Sequence, residues 1–173
     1  EDYYSHLNIP TGAKNAPFEV IDELLLVKGI NRVIFDSIRG FLTVHGIGEV
    51  NINTASKEVL QALGLEERLV DKIINFRNGA DREARTADDQ SFSQSSAIVE
   101  TLGRGAAIDQ AETAALGNLI SEGKLGTRSS HFMVKSKGVL NKNGATLEME
   151  SVIDRKGKVY TMRVSKVQWP SRA

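Results

Sequence analysis

The stretch Glu49-Val50-Asn51-Ile52-Asn53-Thr54-Ala55-Ser56-Lys57-Glu58-Val59-Leu60-Gln61-Ala62-Leu63-Gly64 indicates the fold of the larger, N-terminal part of the chain. Thr54 suits the N-cap position of a helix. The apolar side chains that follow at helical spacing are Val59, Leu60 and Leu63. Gly64 suits the left-handed residue that ends a helix, and a second helix is predicted over residues 66–76. The stretch therefore predicts two helices joined by a glycine turn.

The residues before this stretch predict a similar pair of short helices. One runs from Asp22 to about Val27 and stops at Gly29, and the next covers residues 31–38 before an extended stretch at residues 41–45. We therefore predict two helix-hairpin-helix (SAM-like) units, at about residues 17–45 and 51–79. They belong to a helical domain over residues 1–126.

The rest of the helical domain is less regular. Residues 80–96 are polar and predict an exposed loop. A helix that begins at Ser93 or Ser95 is expected to break at Gly103-Arg104-Gly105, and a further helix is predicted from Asp109 to Ile120. The glycines and serines between residues 123 and 130 predict a hinge.

Residues 127–173 predict a C-terminal antiparallel β-meander. Apolar residues alternate with polar ones from His131 onward, a period of two that is typical of strands. Asn143-Gly144 suits a tight hairpin turn, because both residues tolerate positive φ. A second turn is predicted at residues 155–158, and the last strand at residues 159–169. The predicted fold class is therefore α+β.

Composition limits the function classes. The chain has 173 residues, no cysteine and equal numbers of acidic and basic side chains. Residues 1–129 carry 13 basic and 19 acidic side chains, a net charge of −6, whereas residues 130–173 carry nine and three, a net charge of +6. The longest apolar run, Leu24–Val27, has four residues, far short of the roughly 18 that a membrane span needs. The start resembles no signal peptide and has no initiator Met, so we expect a piece of a longer protein.

The order of several short motifs resembles one protein family. These motifs are Asn15-Ala16-Pro17-Phe18, Asp22-Glu23-Leu24-Leu25-Leu26-Val27-Lys28-Gly29-Ile30, Leu42-Thr43-Val44, Asn51-Ile52-Asn53-Thr54-Ala55, Ser130-His131-Phe132-Met133-Val134 and Ser151-Val152-Ile153-Asp154-Arg155. Together they resemble the minor pseudopilin of the type II secretion system known as general secretion pathway protein K. The resemblance loosens between residues 80 and 126.

That resemblance implies a function and a location. Family members are anchored in the bacterial inner membrane by an N-terminal helix, which we expect to lie outside this fragment, and the rest is a periplasmic pilin-like sheet interrupted by a helical domain. They act at the pseudopilus tip with the minor pseudopilins I and J. The expected role is non-enzymatic support of protein export. The basic strands are the expected partner surface, with Phe132, Val134, Lys135 and Lys137 as contact residues.

The polar loop offers the candidate metal ligands. Asp81, Glu83, Asp88 and Asp89 carry the hard oxygen ligands that calcium prefers, and the resemblance implies calcium as a cofactor. The loop lacks the spacing of a helix-loop-helix calcium site, so an ordinary solvated acidic loop is the alternative interpretation.

Nothing in the sequence predicts a catalytic site. His6, His45 and His131 are far apart and form no zinc-binding pair. Ser129 and Ser130 precede His131, but adjacent strand residues point to opposite faces, which argues against a nucleophile and base. Asn53 and Thr54 are expected to act as helix caps rather than ligands.

The alternative function is a helix-hairpin-helix DNA-binding module of a competence-type protein. Such modules point the amides of a Gly-apolar-Gly turn at a phosphate. The turns at residues 28–31 and 63–66 lack the second glycine, and Glu66 and Glu67 would lie where the phosphate binds. With the net charge of −6, this pattern predicts no nucleic-acid binding.

Overall fold

A computed structural model describes residues 14–140 and 145–168. The chain is α+β, as predicted, with helices followed by a C-terminal antiparallel sheet of three strands. It divides into two compact units, and the second begins at His45. The predicted boundary between residues 126 and 127 falls inside that second unit. His6 and the predicted turn Asn143-Gly144 lie outside the described residues.

The first unit contains little helix. A 3-10 helix, Ile21–Leu26, precedes helix α1 (Arg32–Ile38) and a 3-10 turn at Arg39–Phe41, which overlaps the predicted extended stretch, residues 41–45, at Phe41 only. The Asn31 side chain accepts a hydrogen bond of 2.9 Å from the Ile34 amide and so caps α1. Phe35 is the one fully buried residue described here, and the Arg32 and Arg39 guanidinium groups lie 5.7 and 5.5 Å from the centre of its ring.

The second unit opens with the helical part, which we define as residues 45–126. Its elements are strand β1 (Val50–Asn51), helices α2 (Lys57–Ala62), α3 (Glu67–Arg77), α4 (Ile98–Gly105) and α5 (Gln110–Ser121), and strand β2 (Leu125–Gly126). β1 and β2 pair in parallel and so close the helical part on itself. Gly64 has φ +90° and turns α2 into α3, as the sequence predicts.

The predicted helix boundaries differ in two places. Ser56 caps α2 instead of Thr54, since its side chain accepts a hydrogen bond from the Val59 amide. Thr54 lies in a preceding turn, in which the amides of Thr54 and Ala55 donate to the Asn51 carbonyl. α4 continues through Gly105, where a break was predicted, and the Ala106 amide still bonds to the Leu102 carbonyl. Leu102 is fully buried, so packing offsets the poor helix propensity of the glycines.

The helical part has its own hydrophobic core. The core residues are Ile52, Leu60, Leu65, Leu69, Val70, Ile73, Phe92, Ile98, Leu102, Leu116, Leu119 and Leu125. Phe92, from the predicted exposed loop, packs with its ring 4.5 Å from that of Phe76. Within residues 14–140 and 145–168, no helix is both long and apolar enough to cross a membrane.

The sheet consists of strands β3 (His131–Leu140), β4 (Ala145–Asp154) and β5 (Val159–Gln168). They form an antiparallel meander in the order β3-β4-β5. β3 pairs with β4 without interruption, whereas β5 carries register shifts opposite the Glu148/Met149 and Val152/Ile153 steps of β4. None of the sheet side chains that the structure describes is buried.

Candidate functional site

One face of the sheet is charged. Side chains alternate between faces along a strand, and the register places Lys135, Glu150 and Arg163 side by side on the same face. Lys135 Nζ lies 3.2 Å from Glu150 Oε1, and Arg163 Nη2 lies 2.7 Å from Glu150 Oε2. Further along, Lys137 Nζ lies 3.4 Å from Glu148 Oε1. Hydrogen bonds from Arg163, and to a smaller extent from Lys135, lower the pKa of Glu150. On this face the acidic side chains of β4 therefore lie between the basic side chains of β3 and β5.

The other face, which we call the apolar face, carries no charged residue within the described strands, although the Arg155 guanidinium, from the turn after β4, lies 5.8 Å from the centre of the Phe132 ring. Its apolar side chains are Phe132, Val134, Leu147, Met149, Ile153, Val159, Met162, Val164 and Val167. Phe132 and Val134 are each 41% exposed, and Val164 is 55% exposed. The helical part therefore leaves this face open. A sheet of three strands with one apolar face gains most of its stability when another element covers that face.

The four predicted partner-binding residues lie on one strand but on two faces. Phe132 and Val134 belong to the apolar face of β3, and Lys135 and Lys137 belong to its charged face. Both lysines already pair with glutamates of β4, so they are less available to a partner than the net charge of the segment suggests.

In the acidic loop, Asp88 is used by the chain itself. Its carboxylate accepts hydrogen bonds from the Ala80 amide (2.7 Å), the Asp81 amide (3.2 Å) and the Thr86 hydroxyl (2.8 Å). These bonds, that of Thr86 above all, lower the pKa of Asp88 to about 2. Gly79, with φ +68°, leaves no space for a Cβ, because the Asp88 backbone and carboxylate occupy it.

Two of the other predicted calcium ligands, Asp81 and Asp89, accept hydrogen bonds from amides of the same loop. Asp81 accepts a hydrogen bond of 2.8 Å from the Glu83 amide, and Asp89 accepts one of 2.8 Å from the Arg85 amide. Within the described residues, no group of three or more His, Asp or Glu side chains is placed to hold a metal ion. The geometry favours a loop that its own carboxylates stabilise, and calcium binding stays a prediction.

Asn53 joins the start of the helical part to Phe92 and to Thr127, which follows β2, and is not a helix cap. Its side-chain amide donates to the carbonyls of Phe92 (2.9 Å) and Thr127 (3.1 Å), and its side-chain oxygen accepts from the Phe92 amide (2.7 Å). The capping prediction for Asn53 is therefore wrong. Sequence pattern could not reveal these contacts, because the partners lie 39 and 74 residues away.

The predicted hinge at residues 123–130 is held by strand pairing and by side-chain hydrogen bonds. β2 lies within it and pairs with β1. The Asn51 side chain donates to the Ser129 hydroxyl (2.9 Å), and Arg155 Nε donates to the Ser129 carbonyl (2.7 Å). The linker is thus held by residues of both the helical part and the sheet.

An aromatic cluster also joins the helical part to the sheet. The rings of His45 and His131 stack with centroids 5.8 Å apart, and the Tyr160 ring contacts both, at 5.7 and 4.9 Å. Ser130 Oγ lies 3.0 Å from His131 Nδ1, so the prediction that these neighbours point apart is wrong. The reason is that Ser130 lies in the bend before β3, outside the alternating strand geometry.

A partly buried ion pair links α3 to α5. Lys72 Nζ lies 2.6 and 2.8 Å from the two carboxylate oxygens of Glu112 and 2.7 Å from the Ala107 carbonyl. Glu112 is only 7% exposed and also completes the capping box of Asp109. The hydrogen bond from Lys72 is the main cause that lowers the pKa of Glu112. The Asp109 cap is readable from the sequence, but the partner of Lys72 is not.

The structure adds one Gly-apolar-Gly turn that the sequence reasoning missed. Gly46 and Gly48 have φ +105° and +84°, and Ile47 between them is 84% exposed. This turn precedes β1 and does not join two helices. The turn that does join two helices, after α2, continues into Glu66 and Glu67, both exposed.

Comparison with known proteins gives no family for this chain. No protein-family model, no curated protein and no solved structure matches it. Support for a function therefore comes from the residues and the geometry described above.

Proposed function

We propose that this protein is a non-enzymatic minor pseudopilin of a type II secretion system, of the general secretion pathway protein K family. The observation that carries the proposal is the contrast between a helical part with its own core and a sheet whose apolar face is open. This combination, together with the order of motifs in the sequence, is what an assembly subunit with an inserted helical domain requires.

The dimensions of the apolar face suit a helix. Strands of ten residues are about 33 Å long, and three of them span about 14 Å at the usual strand spacing. The surface of this face is therefore smaller than the roughly 800 Å² that each partner buries in a stable protein–protein interface. A helix of about 22 residues has the same length and a similar width. The N-terminal helix that the family resemblance implies would therefore cover this face.

The bulk of the helical part supports a place at the filament tip. A pilin subunit inside a packed helical filament has neighbours above and below it, and an inserted domain of this size would clash with the subunit above. At the tip no further subunit has to stack. In this proposal the protein binds the minor pseudopilins I and J from the periplasmic side of the inner membrane.

Binding to the minor pseudopilins I and J of the same bacterium tests the proposal and the surface together. Val134→Asp with Val164→Asp changes the apolar face, and Lys135→Ala with Lys137→Ala changes the charged face without placing like charges together. In the complete protein, the first double variant should lower the melting temperature, because its carboxylates would lie under the N-terminal helix, and the second should weaken complex formation, because the charged face stays open to partners. Both should leave the melting temperature of the 173-residue chain nearly unchanged, since these side chains are exposed in it.

Different results overturn different parts of the proposal. If the complete protein does not bind pseudopilins I and J at all, the proposed function is wrong. If it binds them and Lys135→Ala with Lys137→Ala does not weaken the complex, the charged face is not the partner surface. A complete protein whose melting temperature is unchanged by Val134→Asp with Val164→Asp would show that no helix covers the apolar face. Labelled protein spaced evenly along isolated filaments would contradict the tip position.

DNA binding remains a second candidate, because the turn Gly46-Ile47-Gly48 has the glycine pattern that holds a phosphate in helix-hairpin-helix modules. Glu49 follows the turn directly, and the net charge of −6 over residues 1–129 opposes an anionic partner. We expect no binding of a labelled duplex at micromolar protein and physiological salt. A salt-sensitive complex that Gly48→Val abolishes would favour DNA instead.

A further inference from the structure

The turn between β4 and β5 concentrates positive charge. Arg155, Lys156 and Lys158 surround Gly157, and all three are exposed. Gly157 has φ +80°, and its amide donates to the Asp154 carbonyl at 3.0 Å. The Asp154 amide in turn donates to the Lys158 carbonyl at 3.0 Å. The chain therefore presents three cations on a short, hydrogen-bonded turn at one end of the sheet.

Asp154, the acidic residue of this turn, is used by the backbone. Its carboxylate accepts hydrogen bonds from the Lys156 amide (2.8 Å), the Lys158 amide (2.9 Å) and the Tyr160 hydroxyl (3.3 Å). These bonds, that of the Lys158 amide above all, lower the pKa of Asp154. Within the described residues, none of the three cations forms an ion pair, in contrast to the lysines of β3, which pair with glutamates of β4.

Two of the three cations are held in position. Arg155 Nε donates to the Ser129 carbonyl at 2.7 Å, and its guanidinium group lies 5.8 Å from the centre of the Phe132 ring. Lys158 Nζ lies 4.8 Å from the centre of the Tyr160 ring. These contacts use no carboxylate, and they leave Nη1 and Nη2 of Arg155 to bind one. A charge that is already held in place loses less conformational freedom when a partner binds.

The surroundings of the turn limit the kind of partner. Arg128, which is exposed and precedes Ser129, adds a further positive charge. The helical part, however, carries eight basic and 13 acidic side chains, a net charge of −5, and the bond between Asn51 and Ser129 ties it to this end of the sheet. A broad anionic surface such as a membrane would therefore repel the helical part, whereas a short acidic segment can reach the cations alone.

We propose that the β4–β5 turn and Arg128 form a binding surface for a short acidic segment of a partner protein. A carboxylate of the segment pairs side by side with the guanidinium group of Arg155, and others pair with the ammonium groups of Lys156 and Lys158. Because these cations are exposed, binding is weak and depends on salt, and the charges mainly select the partner and speed its association. The inference uses only the charges and contacts of this turn and does not depend on the proposed function.

A synthetic peptide tests this surface. The probe is a short labelled peptide in which Glu alternates with Ser, and the control peptide has Gln in place of Glu. We expect the Glu peptide to bind the 173-residue chain at about 0.01 M salt and at least about tenfold more weakly at about 0.15 M salt, where charges act over a shorter range. In NMR spectra, the largest shifts of amide signals should fall at residues 154–158. The Gln peptide should not bind.

Matched variants locate the surface. One variant removes the three charges of the turn: Arg155→Gln, Lys156→Gln and Lys158→Gln. Its control removes three exposed charges of the helical part that form no ion pair with a described residue: Arg68→Gln, Arg82→Gln and Arg85→Gln. Only the first should weaken binding of the Glu peptide at low salt, by at least about tenfold.

Two smaller changes separate charge from position. Arg155→Lys keeps the charge but removes the side-by-side pair of donors and the bond to Ser129, so binding should weaken several-fold. If the loss of that bond disturbs the link between the helical part and the sheet, Lys156→Gln with Lys158→Gln should still weaken binding, because neither side chain contributes to the link.

Four results would overturn the proposal. They are no binding at millimolar peptide and low salt, equal weakening by the two triple variants, tighter binding to anionic lipid vesicles or duplex DNA than to the Glu peptide, and loss of peptide binding in the complete protein. The third would assign the surface to a membrane or a nucleic acid. The fourth would mean that another segment of the chain covers the turn.

Discussion

The helical part and the sheet differ in what stabilises them. The helical part buries a set of apolar residues from α2 to β2, several with no exposed surface at all. The sheet buries none of its described side chains and is stabilised by its main-chain ladder and by cross-strand pairs such as Glu150–Arg163. Burial is the main source of folding free energy, whereas exposed pairs contribute little.

This difference indicates how the two regions work. A region that completes its own core can fold and project from an assembly. A sheet whose apolar face is exposed depends on another element for its full stability. The contacts at Ser129 and the His45–His131–Tyr160 cluster link the two regions, so an element docked on the sheet would also fix the helical part in place.

The largest expected effect comes from matched leucines. Leu60 is fully buried in the helical part, and Leu147 is 41% exposed on the sheet. Leu60→Ala should lower the free energy of unfolding by about 3 kcal/mol, through lost burial and a cavity. Leu147→Ala should cost about 0.5 kcal/mol or less, as for other exposed sites. Thermal or urea denaturation of the chain measures both, and equal losses would mean that the sheet has a covered face after all.

Removing Lys72 should have the next largest effect, because Glu112 would stay buried without its partner. Lys72→Met should cost about 2 kcal/mol at neutral pH, less than for a fully buried pair, because the Lys72 side chain keeps 16% exposure. Lys72→Met with Glu112→Leu should regain much of this loss and serves as the control.

The same pair predicts a pH dependence. The pKa of Glu112 is lowered in the folded protein. The stabilisation of the fold by the Lys72–Glu112 pair is therefore fully present above pH 4.5, the ordinary pKa, and is lost as the pH falls through the pKa of the folded state. The difference between wild type and Lys72→Met should therefore shrink in acid. A difference that stays constant from pH 7 to about pH 3 would contradict the role of the pair.

A smaller, local effect is expected in the acidic loop. Asp88→Ala removes the acceptor of two backbone amides and should speed trypsin cleavage after Arg82 and Arg85 several-fold. Because the pKa of Asp88 is lowered to about 2, the Ala80 and Asp81 amides should stay protected from hydrogen exchange above about pH 4 and lose that protection as the pH falls toward 2.

Glu83→Ala is the control for this loop, since the Glu83 carboxylate makes no hydrogen bond or ion pair with any described residue. It should leave the cleavage rate unchanged. Millimolar calcium should not slow cleavage if the carboxylates serve the loop alone. Protection by calcium that Asp88→Asn with Asp89→Asn removes would instead establish the predicted calcium site.

The smallest effect is expected on the charged face of the sheet. Lys137 and Glu148 form an exposed pair, so Lys137→Ala should change the free energy of unfolding by about 0.5 kcal/mol or less. Denaturation at low and high salt measures it. A loss of several times this size would show that the sheet depends on its charges more than its exposure indicates.

The sequence by itself determined the local structure. Period-two alternation predicted the strands of the sheet, and helical spacing with Gly64 predicted α2 and α3. Asp109 and Asn31 stand at the predicted starts of their helices, because a cap needs only neighbours within the same turn. Phe132, Val134, Lys135 and Lys137 were expected to form one partner surface, whereas the register places the first two and the last two on opposite faces of β3.

Only the tertiary structure decided which side chains meet over long separations. Asn53 became a bridge to Phe92 and Thr127, Lys72 met Glu112, and His45 stacked on His131. It also decided that the helical part leaves the sheet open. Spacing along a chain specifies contacts within a helical turn or a strand pair, whereas distant contacts depend on how whole elements pack, which no local pattern records.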